Sequence, residues 1–146
     1  MTCQVPPIAW FTIAIVLSAC MPDEPPEKLV PDRWYTHEQV SRGKELFGQH
    51  CAVCHGDQAQ GLAEDWRKVD ASGNYPPPPL NGSAHAWHHP MVVLEKTIAE
   101  GGAPVGGVMP PFDGVLSVQD TRATIAFFQN LWPDDIYRRW SEINER

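Results

Sequence analysis

The chain has 146 residues, a length that points to one domain, and 18 acidic side chains outweigh 11 basic ones for a formal charge of −7. No basic stripe runs through it, which argues against nucleic acid as a partner and against a positively charged docking face.

Residues 1–22 carry no charged side chain. Within them Ile8 to Leu17 forms an apolar core, followed by small residues and Cys20. That is a signal-peptide layout, too short for a spanning helix. Leu17-Ser18-Ala19-Cys20 resembles a bacterial lipobox, which implies a signal over 1–19 and lipidation of Cys20 as the first mature residue. More than one acyl chain would give stable membrane attachment. Residues 1–7 depart from the pattern by having neither Lys nor Arg, so an ordinary secretory signal or an uncleaved anchor stays as the alternative.

Residues 20–35 read as a tether, since Met21 to Asp32 is rich in proline and acidic residues. At about 3.1 Å per residue it would hold a domain up to roughly 40 Å from the membrane. The alternative is a tail without function. The domain proper is then expected over 36–146.

Thr36-His37-Glu38-Gln39 fits a capping box, and Val40, Gly43, Leu46 and Phe47 recur at helical spacing to about His50. Gly43 inside this helix costs about 1 kcal/mol against Ala, which suits close approach by another element. The helix delivers the chain to Cys51-Ala52-Val53-Cys54-His55. Cys-x-x-Cys followed at once by His reads as covalent c-type haem attachment, with two thioethers from one helical turn and an imidazole for the iron. A thioredoxin-like dithiol would need a strand–helix–strand setting that the flanks lack. A zinc site would need two further ligands, for which His85, His88 and His89 are available.

Gly56 to Pro79 is polar and irregular, and it ends in four consecutive prolines that suit neither a helix interior nor a central strand. Trp66 and Tyr75 in this stretch would either cover a haem or pack the loop. Pro90 suits the first turn of a second helix, with Met91, Leu94 and Ile98 on its apolar face and Gly101-Gly102 as its stop. Ser117 caps a third helix with Asp120 in its first turn; Ile125, Phe128 and Trp132 form its stripe, and Pro133 ends it. One or two amphipathic turns follow, carrying Ile136, Trp140 and Ile143. No strand pattern and no repeat is visible, so the domain is expected to be mostly helical.

An iron held by His55 needs a ligand on its other face. Met109 stands in Gly106-Gly107-Val108-Met109-Pro110-Pro111-Phe112, where glycines permit a close turn and prolines restrict the backbone. Thioether ligation would raise the reduction potential. His85, His88 and His89 are the rivals, and Met91 on its helix has a packing role. Cys3 leaves with the signal and Cys20 takes lipid, so with Cys51 and Cys54 on haem no thiol remains for a disulfide.

From Thr36 to Pro133 the chain resembles the class I c-type cytochromes. The likeness rests on Gly43-Lys44-Glu45-Leu46-Phe47 leading to Cys51-Ala52-Val53-Cys54-His55-Gly56, then on Pro78-Pro79-Leu80-Asn81-Gly82, Met109-Pro110-Pro111-Phe112 and the Trp-ended third helix. It implies an all-α cytochrome c fold, three to four helices around one covalently bound haem c with long irregular loops. It implies thioethers from Cys51 and Cys54 and axial ligation by His55 and Met109. The carbonyl of Pro78 would accept the other ring N–H of His55, and the first and last helices would cross where Gly43 and Phe47 meet the Phe128 region. The long segment between His55 and Pro78 and the Ala84-His85-Ala86-Trp87-His88-His89 cluster depart from the simplest pattern. Trp87 would either donate its indole N–H to a haem propionate or pack.

The function expected is one-electron transfer without catalysis, by a carrier lipid-anchored to a membrane in the bacterial periplasm and working between protein redox partners. The alternatives are a haem enzyme or small-ligand sensor with a displaceable Met109, and a cytochrome subunit of an oxidase or dehydrogenase.

Overall fold

The computed structural model describes residues 28–105 and 107–144. The signal over 1–19, Cys20 and the tether up to residue 27 lie outside the described residues. Five α-helices follow in order: α1 (His37–His50), α2 (Ala52–His55), α3 (Met91–Glu100), α4 (Val118–Asn130) and α5 (Asp134–Asn144). Single 3₁₀ turns lie at Ala86–His88 and Ala103–Val105. The only β pairing among the described residues is an isolated bridge between Leu29 and Thr36. No helix among them is long and apolar enough to cross a membrane.

Local chemistry sets most helix ends. Thr36 accepts from the Gln39 amide at 3.1 Å while the Gln39 side chain accepts from the Thr36 amide at 2.9 Å, the reciprocal capping box. Ser117 caps α4 through the Asp120 amide at 3.1 Å. Pro90 is the N-cap of α3 and stands just before its first turn. The free amide of Met91 there is satisfied from far along the chain, by Asn144 Oδ1 at 2.8 Å.

α4 is buried nearly all round, from Thr121 to Gln129 except for Arg122, so it is the central helix of the domain. α1 crosses it at Gly43, where a Cβ would land on the Ala123 carbonyl and 2.9 Å from Phe127 Cβ. Phe47 then packs on Phe127 with ring centroids 5.0 Å apart. The crossing expected at Gly43 and Phe47 is present, with Phe127 as the ring that meets Phe47.

Two regions differ from the sequence reading. α5 runs for 11 residues, longer than the one or two turns expected, and buries Tyr137 and Trp140. Its many charged positions lie on the outer face and hide a full amphipathic helix. The segment 29–35, read as the end of the tether, packs on the domain. Tyr35 is fully buried, Trp34 donates its indole N–H to Gln129 Oε1 at 2.7 Å, and Tyr137 Oη accepts from the Trp34 amide at 3.1 Å. Arg33 pairs with Asp134 and lies 4.0 Å over the Tyr137 ring. The packed unit therefore includes 29–35.

Candidate haem site

α1 passes directly into the cysteine turn, for the Cys51 amide bonds the Phe47 carbonyl at 2.8 Å and the His55 amide bonds the Cys51 carbonyl at 2.9 Å. α2 is this single turn. Cys51 is half-buried and Cys54 exposed, both as free thiols. Burial, and secondarily the neighbouring Cys54, pushes the Cys51 thiol up to about 11. Among the described residues no three His, Cys, Asp or Glu side chains gather to hold a metal ion, so the zinc reading finds no ligand set.

His55 is 7% exposed, and its Nδ1 lies 2.8 Å from the carbonyl oxygen of Pro78. A carbonyl can only accept, so Nδ1 carries the proton and donates it. Burial lowers the His55 pKa below 6.5, with the Pro78 bond opposing, and the ring is neutral at pH 7. In that tautomer Nε2 holds an in-plane lone pair, the state an iron ligand requires. The distance of 23 residues between the two makes this contact a tertiary one.

The return chain is built on backbone contacts. Gly56 at φ +77° closes α2, and a Cβ there would sit 2.5 Å from Gln60. The Gly61 amide bonds the His55 carbonyl at 2.7 Å. Ala59, fully buried at φ +52°, offers its carbonyl to the amides of Leu80 at 2.7 Å and Asn81 at 3.1 Å. Nothing in the residue type of Ala59 signals that role.

Met109 is half-buried and packs against the core cluster, as do Cys51, Trp87 and Phe112. Its loop is tied to the end of α3. The Met109 carbonyl accepts from the Gly102 amide at 2.9 Å, and the Phe112 amide bonds the Ile98 carbonyl at 3.1 Å. Gly101 was legible as a helix stop; its closeness to Met109 was not.

The histidine cluster is arranged as a stack. His85 lies between Trp66, at 5.0 Å and nearly parallel, and His89, edge-on at 5.4 Å. Its Nδ1 is buried without a partner. Burial first, then His89 and His88, lowers its pKa. Trp87 meets His88 at 3.8 Å. Of the two loop aromatics, Trp66 packs on His85, and Tyr75 is 63% exposed.

A sequence profile described as Cytochrome c matches residues 40–132, more than half of the chain. This chain belongs to the cytochrome c family. Its helical architecture, with no strand among the described residues, is the all-α fold expected. The cofactor of this cytochrome is haem c, covalently bound and carrying iron. The donor set fits it: two adjacent thiols on one turn, and a neutral imidazole whose other nitrogen is already engaged. The chain is also similar to the Cbb3-type cytochrome c oxidase subunit CcoP of Azospirillum sp. (strain B510), with 31% identity over 93 residues. That stretch is 64% of this chain and 29% of the relative, so the chain spans about three-tenths of the protein it matches. No solved structure matches the chain with significance.

Proposed function

We propose that this cytochrome is a one-electron carrier, and not an enzyme, anchored by lipid on Cys20 to a membrane and facing the bacterial periplasm. In this reading Cys51 and Cys54 form the two thioethers to one haem, and His55 and Met109 are the axial ligands. The observation that carries it is the 2.8 Å bond from His55 Nδ1 to Pro78, which fixes the tautomer and leaves Nε2 for iron.

Haem iron supplies a reversible one-electron couple, and the protein tunes it. His55 presents Nε2 with its orientation and basicity set by Pro78. Met109 offers a soft thioether from a loop braced by Gly101 and Gly102, which favours the reduced iron. The net charge of −7 suits redox partners with a neutral or basic docking face.

Residues 20–28 would leash the domain near membrane-bound donors and acceptors and raise their effective concentration. A second reading is supported by the similarity to an oxidase subunit: a cytochrome module of an oxidase complex, using the same haem site in a fixed assembly.

One spectrum and two variants test the proposal. The oxidised holoprotein should show the weak iron–sulfur charge-transfer band, and Met109→Ala should abolish it while covalent haem is retained. Persistence of the band in Met109→Ala removes Met109 as ligand. Cys20→Ala should release the cytochrome from membranes. Retention in the membrane fraction rejects the lipid anchor, and co-purification with oxidase subunits favours the second reading.

A further inference from the structure

The segment that gives His55 its hydrogen-bond acceptor cannot hold itself in place. Residues 76–79 are all proline and have no amide N–H, so the first backbone donor beyond Tyr75 is Leu80. Leu80 is gripped from two sides. Its amide donates to the Ala59 carbonyl at 2.7 Å, and its carbonyl accepts the indole N–H of Trp132, also at 2.7 Å. Trp132 is 4% exposed. Gly82, at φ +90°, lets the same segment lie directly on the α4–α5 junction: a Cβ there would stand 3.2 Å from Trp132 Cδ1 and from Pro133 Cδ. The clamped Leu80 carbonyl therefore lies two residues beyond the carbonyl of Pro78, with the rigid ring of Pro79 between them.

We infer that Trp132 is a positioning residue for His55, holding the Pro78 carbonyl on Nδ1 through the Leu80 carbonyl. The inference rests on His55 being the axial ligand. The clamp sets how strongly the imidazole N–H is bonded, and thus how much electron density the ring gives the iron. Trp140 provides a built-in comparison: its indole N–H donates to the backbone carbonyl of His89 at 2.9 Å and not to Leu80, and its edge-on ring contact with Trp132 at 6.0 Å is one that phenylalanine largely keeps.

The test uses the intact holoprotein with Trp132→Phe and Trp140→Phe, read by the solvent exchange of the His55 Nδ1 proton in the reduced state and by the reduction potential. Losing a hydrogen bond worth about 1 kcal/mol should speed that exchange roughly fivefold in Trp132→Phe. The potential should rise, because a less basic imidazole stabilises oxidised iron less. Trp140→Phe should change neither quantity. Unchanged exchange and potential in Trp132→Phe, or an equal change in Trp140→Phe, overturns the inference. A fall in potential does so too, since that is the sign of water entering a loosened core. Should Trp132→Phe fail to fold, benzothienylalanine at the same position keeps the ring shape without the N–H and is read in the same way. Failure of the ligand reading is separable: the wild-type reduced protein would then show no His55 ring protons shifted by the haem.

Discussion

Gly101 and Met109 share a contact that no other residue at position 101 would allow. Gly101 ends α3 at φ +78°, and a Cβ built on it would stand 2.6 Å from the Met109 carbonyl oxygen and 2.8 Å from the Pro111 amide nitrogen. The neighbouring Gly102 amide then bonds that carbonyl at 2.9 Å. The helix stop and the placement of the proposed ligand are one piece of backbone.

Gly101→Ala should therefore act on the iron and on the fold together. At φ +78° and ψ −173° the backbone is in a region essentially reserved for glycine, which costs an L-residue about 1–3 kcal/mol, and the clash forces the loop outward. We expect a lower thermal midpoint and a weakened iron–sulfur band in the oxidised protein. Ala at position 48, a helical glycine with nothing within 4 Å of its Cβ, should do neither. An intact band in Gly101→Ala would show that the loop holds Met109 without this contact.

Gly43→Ala tests the helix crossing. Its Cβ would collide with the Ala123 carbonyl, which is backbone and cannot rotate away. Forcing α1 off α4 should cost about 1–3 kcal/mol, with the Phe47–Phe127 contact loosened as well. Chemical denaturation of the holoprotein measures it, and a change under about 0.5 kcal/mol would contradict so tight a crossing.

How far the sequence could be read follows from distance along the chain. The caps Thr36–Gln39 and Ser117–Asp120 span three residues each, and local chemistry decides them. The stripe of Ile125 and Phe128 and the Cys-x-x-Cys-His turn are equally local. Pro78 came only with the family resemblance, and the structure brings it to His55 across 23 residues. What stayed hidden is non-local and uses ordinary residue types: Trp132 bonds Leu80 across 52 positions, and Trp34 bonds Gln129 across 95. The strap at 29–35 was hidden for another reason. Its proline and acidic neighbours set the composition of the window, and the two aromatics that anchor it were averaged away.

That strap belongs to the stable unit. A chain beginning at Lys28 keeps the strap and its contacts. A chain beginning at Thr36 loses the fully buried Tyr35 and leaves Gln129 Oε1 without the Trp34 indole. Burial of one aromatic and one orphaned buried acceptor together amount to about 3 kcal/mol or more. Thermal midpoints of the two holoproteins decide the matter; equal values would mean that 28–35 only rests on the surface.

His85 makes stability depend on pH in a stated direction. Burial, with His89 and His88 beside it, places its folded pKa below the unfolded value of 6.5. Between those two values the unfolded chain binds the proton and the folded one does not, so stability rises with pH through the window. The contribution is whole above pH 6.5 and is lost as pH falls through the folded pKa. The groups that face His85 are Trp66, which cannot titrate in this range, and His89 and His88, both of which act with burial to lower its pKa. His85→Gln, which cannot charge, should flatten the curve of midpoint against pH on the acid side of 6.5 while leaving it parallel above. Stability that falls with rising pH across that interval in the wild type, or an unchanged slope in His85→Gln, would show that the imidazole is solvated and not held neutral against Trp66.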